Sequence, residues 1–220
     1  MTEIDRFARE REEMVEFQIR GRGIRDERVL AAMRKIPRHL FVPKGLERLA
    51  YEDRPLPIGE GQTISQPYIV AVMTEQLELK PQDRVLEVGT GSGYQAALLA
   101  ELAATIISIE RLESLANLAR ENLARAGITD VRVVVGDGTE GYPPEAPYDA
   151  IIITAASPGV PQPLIDQLAE GGRLVAPVGS RDCQDLIKLV KHEGRIECIP
   201  LGGVSFVPLI GEFGWREADR

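Results

Sequence analysis

Apolar and polar positions change period along this chain, and the changes divide it into segments. Over residues 3–20 and 26–35 apolar side chains recur at helical spacing, which predicts two amphipathic helices burying Phe7, Met14, Phe17, Val29, Leu30 and Met33. Gly21 and Gly23 separate them. Pro37, Pro43, Pro55 and Pro57 interrupt any regular pattern up to Gly61, so that stretch reads as a loop. A third helix starts at Ser65, by type an N-cap residue, with Pro67 in its first turn, and runs through Met73 and Leu77 to the Lys80-Pro81 break.

Beyond residue 84 two periods alternate. β-rich apolar runs at 85–88, 104–109, 131–135, 148–154 and 172–178 predict strands, with helical patterns from Ala96, over 111–126 and over 163–169 between them. Strands joined through helices must cross over and so lie parallel. The last runs, 185–191, 195–201 and 204–210, are separated only by His192-Glu193-Gly194 and Gly202-Gly203, which predicts an antiparallel meander. The expected fold class is α/β, a largely parallel sheet flanked by helices with an antiparallel C-terminal meander.

A chain of 220 residues can bury one substantial core. One domain is therefore expected, with N-terminal helices and a substrate loop over 1–80, a cofactor-binding core over 81–180 and C-terminal strands over 181–220. The composition, 44% hydrophobic and 27% charged, is that of a soluble globular protein. No apolar run reaches membrane-spanning length and the charged start is unlike a signal peptide, so the expectation is a cytoplasmic protein with no membrane partner. A net charge of -8 repels phosphate backbones and disfavours nucleic acid as a partner. The one basic cluster, Arg20, Arg22, Arg25, Arg28, Arg34, Lys35 and Arg38, is interleaved with Asp26 and Glu27 and reads as a solvated helical face. Cys183, Cys198, His39 and His192 offer no metal-ligand spacing, so no metal site is expected.

The candidate chemistry lies where the strand at 85–88 turns into a helix. Gly89, Gly91 and Gly93 alternate with Thr90 and Ser92, and such a turn suits positive φ and close approach of a ligand to the backbone. Unpaired amides at the start of the next helix offer hydrogen bonds to that ligand. A dinucleotide fingerprint would place its third glycine where Tyr94 stands, and a phosphate-cradling loop would need a following lysine, so pyrophosphate is disfavoured. Glu87, two residues before the first glycine, would repel phosphate and suit a cationic ligand with an amino group, of which S-adenosyl-L-methionine is one. Glu110 ends the next strand about twenty residues on, where such folds hydrogen-bond ribose hydroxyls. Asp137, within Gly136-Asp137-Gly138, ends the one after and could accept from an adenine amino group. Ligands of open α/β sheets sit at the carboxyl ends of strands, so the three acids can converge on one molecule.

With this turn, Glu110 and Asp137-Gly138 in place, the chain resembles the Rossmann-like class I S-adenosylmethionine-dependent methyltransferases. The segment from Leu56 to Tyr68, which contains Gly59-Glu60-Gly61-Gln62-Thr63-Ile64-Ser65-Gln66-Pro67, resembles the signature of the protein-L-isoaspartate (D-aspartate) O-methyltransferases, which methylate isomerised aspartyl residues. Pro37-Arg38 with Phe41-Val42-Pro43, Ile153-Thr154-Ala155-Ala156 and Phe206-Val207-Pro208-Leu209 are similar to segments of that family, in the family's order. The resemblance implies S-adenosyl-L-methionine as methyl donor, with S-adenosyl-L-homocysteine as product. It implies a donor site of Glu87, Gly89, Thr90, Gly91, Gly93, Glu110, Asp137 and Gly138. By the same resemblance Thr63, Ile64 and Ser65 line the donor and substrate cleft, Ser65 takes the place of the active-site serine, and Val207 contacts the substrate backbone. The implied partners are damaged proteins and peptides containing isoaspartyl residues. Ala155 and Ala156 read as sheet-end packing.

The residues make chemical sense of this. A carboxylate acceptor with a pKa of about 4 is already an anion near neutral pH, so no general base is required. That agrees with a chain holding two histidines and no Ser-His-Asp arrangement near the glycine turn. Ser65 would orient the carboxylate. Two alternatives remain open at this point, a methyltransferase acting on another small-molecule or nucleic-acid acceptor and a non-catalytic donor-binding module. Against the nucleic-acid amino methyltransferases, Thr154-Ala155-Ala156-Ser157 stands where an Asp/Asn-Pro-Pro-Tyr/Phe motif is expected.

Overall fold

The computed structural model describes residues 3–217. Helix α1, Glu3–Glu13, continues into a wider π-helical turn over Met14–Ile19 and a tight 3-10 turn over Arg20–Arg22. The widened turn shifts the phase of the apolar face, which now buries Met14, Val15 and Ile19. Phe17, expected inside, is instead 76% exposed. Helix α2, Glu27–Lys35, is capped by the Asp26 carboxylate, which accepts from the amides of Arg28 and Val29, and it buries Val29, Leu30 and Met33 as expected.

The proline-punctuated stretch read as loop ends in a small hairpin. Strands β1, Leu56–Gly59, and β2, Gln62–Ile64, pair antiparallel, with Leu56 opposite Ile64. Their turn places Glu60 and Gly61 at φ 53 and 69, the left-handed pair that a tight hairpin needs. Helix α3, Pro67–Gln76, follows with Gln66 at its N-cap, one residue later than expected, so Ser65 is not the cap. Asp53 accepts the Tyr68 amide at 3.4 Å in that first turn.

Strand β3, Arg84–Val88, helix α4, Tyr94–Ala100, strand β4, Thr105–Glu110, helix α5, Glu113–Arg125, and strand β5, Val131–Val135, build the first half of the main sheet. Strand β6, Tyr148–Ile153, helix α6, Gln162–Asp166, and strand β7, Leu168–Gly179, build the second. The sheet order is β5-β4-β3-β6-β7, all parallel, extended antiparallel by β8, Gln184–His192, and β9, Arg195–Val204. Buried residues cover both faces of the central strands: Val85, Ile106 and Ile152 pack toward the N-terminal helices, while Leu86, Ile107 and Ile151 pack toward α6.

Two expectations fail near the C-terminus. The helix expected over 163–169 stops at Asp166, because Leu168 already belongs to β7. The segment 204–210 forms no third meander strand. It folds back on the end of β6 instead, where the Ala156 amide donates to the Val207 carbonyl at 2.8 Å and the Leu209 amide to the Ala156 carbonyl at 2.7 Å. Pro208, between them, has no amide with which to continue a ladder. Among the described residues no helix is long and apolar enough to cross a membrane.

Candidate active site

The chain reverses its direction of travel across the sheet between β3 and β6, and a crevice outside the carboxyl ends of parallel strands opens at such a point. Gly89, Gly91 and Gly93 hold φ of 97, 53 and 86 there. A side chain at Gly89 would run into the Thr154 hydroxyl, and one at Gly138 into Val88, so both positions keep backbone bare beside the crevice. Gly93 serves another purpose: a Cβ there would lie 3.3 Å from Ala119 and Leu123 of α5, so this glycine lets α4 pack.

The crevice has three connected compartments. The first, about 700 Å³ and open to solvent, is bounded by Gly89, Gly91, Glu110, Gly138, Ala155 and Val207. The second, about 420 Å³, lies among Ile64, Ser65, Thr90, Gly91 and Tyr94. The third is a wider groove of about 1070 Å³ between Ser65, Gln66 and Ile69 on one side and Val204 to Val207 on the other. Thr63 and Thr154 line all three. Thr63 reaches the junction from the hairpin. Thr154 reaches it from the end of β6, its hydroxyl donating to the Gly89 carbonyl at 2.6 Å.

Most of the residues singled out in the sequence meet here: Thr63, Ile64, Ser65, Gly89, Thr90, Gly91, Glu110, Gly138 and Val207 all line the crevice. The Glu110 carboxylate accepts the Gly91 amide at 2.9 Å and the Leu112 amide at 3.0 Å, tying β4 to the glycine turn. Asp137 stands behind Gly138, where its Oδ1 accepts from the Thr139 amide and hydroxyl at 2.9 and 2.7 Å and its Oδ2 from the Glu212 amide at 2.7 Å. Glu87 is fully buried beneath the turn and lines none of the three compartments. Ser108 donates to its Oε2 at 2.5 Å and Thr90 lies 2.6 Å from that serine hydroxyl, while Oε1 has no partner among the described residues. Burial raises the Glu87 carboxyl to about 8, against the opposing hydrogen bond from Ser108, so it is mostly protonated at neutral pH. Sequence reasoning gave Thr154 no role in the site, although it stands in the family-like segment Ile153-Thr154-Ala155-Ala156 at the end of the strand beside the glycine strand.

The family model described as "Protein-L-isoaspartate(D-aspartate) O-methyltransferase (PCMT)" matches residues 9–214. A protein-L-isoaspartate O-methyltransferase of Methanoculleus marisnigri is 80% identical over 97% of this chain and 97% of its own length. One of Methanoregula boonei is 61% identical over 94% and 95%. Among solved structures, a protein-L-isoaspartate O-methyltransferase superposes with a TM-score of 0.84 at 30% identity, covering 92% of this chain and 67% of that one. A Plasmodium falciparum structure described as a beta-aspartate methyltransferase, in complex with S-adenosyl-L-homocysteine, superposes at 0.80 and 28% identity, covering 91% and 98%. With the crevice at the strand switch, the bare glycine turn and a family match that spans nearly the whole chain, the protein belongs to the protein-L-isoaspartate(D-aspartate) O-methyltransferase family.

Proposed function

We propose that the crevice transfers a methyl group from S-adenosyl-L-methionine to the free carboxylate of L-isoaspartyl residues in damaged proteins and peptides. The reading rests on one observation above others: Thr63 and Thr154 stand where the compartment bounded by the glycine turn meets the open groove bearing Ser65. A donor compartment and a larger acceptor groove that share Thr63 and Thr154 as lining suit a small donor and a polypeptide acceptor.

The residues of the first compartment fit an adenosyl sulfonium. Packing against Thr154 and Val88 keeps Gly89 and Gly138 without side chains, and both line the compartment, so bare backbone faces a flat, close-lying ligand there. Each Glu110 oxygen accepts one amide and keeps a lone pair for a ribose hydroxyl. Asp137 does not line this compartment; its carboxylate, held by the Thr139 and Glu212 amides, fixes the turn that presents Gly138 to it. When bound, S-adenosylmethionine supplies an electrophilic methyl group on a sulfonium and leaves as S-adenosylhomocysteine.

The remaining work belongs to the protein. The acceptor carboxylate is ionised without help, its pKa being about 4, so Ser65 has only to orient it by a hydrogen bond. Val207, fixed through its carbonyl by Ala156, offers the groove a firm wall for the peptide backbone. Holding donor and acceptor in line can contribute roughly 7 to 11 kcal/mol of the barrier reduction. In this reading the chain works as one domain, with 1–80 supplying the acceptor side, 81–180 the donor side and 181–220 the wall at Val207. Cys183 and Cys198, both exposed and unpaired, support a reducing compartment and hence a cytoplasmic location. Incorporation of labelled methyl into a synthetic peptide carrying a single L-isoaspartate tests the reading.

A further inference from the structure

The basic cluster expected on a solvated face has one member that water does not reach. Arg38 is fully buried. Its Nε donates to the Ala50 carbonyl at 2.8 Å and its Nη2 to the Ser65 carbonyl at 2.7 Å, while Nη1 has no partner among the described residues. The guanidinium carbon lies 4.9 Å from the centroid of the Tyr94 ring. Tyr94 opens α4 directly after Gly93 and lines the second compartment beside Ser65. Burial lowers Arg38 to about 10, which leaves it a cation at neutral pH. A buried cation with no carboxylate hydrogen-bonded to it costs stability, and an apolar side chain would fill the space at less cost. What the apolar side chain would lack is the fork, which reaches two carbonyls from separate segments and stacks on a ring beside the glycine turn.

We propose that Arg38 is a positioning residue for the acceptor, holding Ser65 at a fixed place relative to the glycine turn so that the carboxylate it orients meets the donor in line. The proposal rests on the role given to Ser65 above. The loop is held from the other side as well: Asp53 Oδ2 accepts from the Gln66 side chain at 2.8 Å, and Arg22 pairs with the same carboxylate at 2.5 Å. Arg38 thus fixes Ser65, which like Thr63 faces both the second compartment and the acceptor groove, while the neighbouring Gln66 is fixed separately. A displacement of about 1 Å in such a site can cost on the order of a hundredfold in rate.

The test uses the full chain with Arg38→Lys and Arg38→Met, each alone and in a Ser65→Ala background, and the L-isoaspartyl peptide as acceptor. Binding of S-adenosylhomocysteine by calorimetry and unfolding by denaturant accompany kcat and KM. Each single variant is expected to lose about tenfold or more in kcat with ligand affinity within about threefold, and Arg38→Lys to recover little, since one ammonium cannot replace the fork. In the Ser65→Ala background the further loss should be under about threefold, because residues acting through one another are not additive. Wild-type turnover by Arg38→Lys, an equal loss in both backgrounds, or a fall in ligand affinity matching the fall in kcat would overturn the proposal. Failure of both variants to fold would also overturn it, by making Arg38 a stability residue. If the wild-type protein leaves the peptide unmethylated, the proposed function fails rather than this inference.

Discussion

Glu110 Oε2 accepts the backbone amide of Gly91 at 2.9 Å, so the acid that ends β4 also braces the glycine turn that follows β3. Glu110→Ala should therefore remove a ligand contact and loosen the turn together. A charge-assisted hydrogen bond is worth about 1.5 to 3 kcal/mol, so S-adenosylhomocysteine should bind roughly ten- to a hundredfold more weakly by calorimetry. Unchanged affinity in the folded variant would remove Glu110 from the donor site.

Two glycines of the same turn should separate ligand effects from packing effects. Gly91→Ala puts a Cβ 3.4 Å from the tip of Ile58 at φ 53, beside the compartment, whereas Gly93→Ala drives one against Ala119 and Leu123 inside the protein. Gly93→Ala should cost about 1–3 kcal/mol in denaturant unfolding, as overpacking does, while Gly91→Ala should weaken ligand binding out of proportion to its stability loss. The reverse ranking would mean that the ligand does not lie against Gly91.

Glu87 makes a prediction about pH. Its carboxyl titrates near 8 in the fold because burial disfavours the anion, against about 4.3 for an unperturbed glutamate. Between those values the folded state binds a proton that the unfolded state does not, so this group's contribution to stability falls as pH rises and levels off above about 8. Glu87→Gln removes the titration. Its stability relative to wild type should improve steadily from pH 5 to about 8 in denaturant melts. A difference independent of pH would show that Glu87 is ionised throughout.

Ser65 is freed from one duty by the structure. Gln66 occupies the helix N-cap and Asp53 takes an amide of the first turn, so Ser65→Ala should change stability by less than about 0.5 kcal/mol. Its single-turnover rate on an isoaspartyl peptide should fall while donor affinity stays within a few fold. A wild-type rate would leave the carboxylate oriented by other groups of the groove.

The parallel half of the fold was legible because its strands are dense apolar runs, most of them followed by a helical period; the 131–135 strand, followed only by short turns, still agrees residue for residue. The hairpin at 56–64 was not, because its turn uses Glu60 at positive φ where asparagine or glycine would have signalled it. Phe17 went astray because a π-helical turn leaves no mark in an apolar pattern read at ordinary helical spacing. The glycine turn announced its chemistry, since bare backbone has few other uses in that setting. Arg38 could not be read, because a buried arginine and a solvated one look alike until the carbonyls of Ala50 and Ser65 are seen beside it. Thr154 was visible only as one member of a family-like segment, and the meeting of three compartments at its side chain is what places it in the site.

Paired peptides decide which carboxylate is the acceptor. Two synthetic peptides of one sequence, with L-isoaspartate or ordinary L-aspartate at a single position, would be offered with labelled S-adenosylmethionine, and kcat/KM measured for each. The account predicts base-labile methyl ester on the isoaspartyl peptide, with incorporation into the aspartyl peptide at background. Equal methylation of the two, or none of either by folded protein that binds the donor, would contradict it.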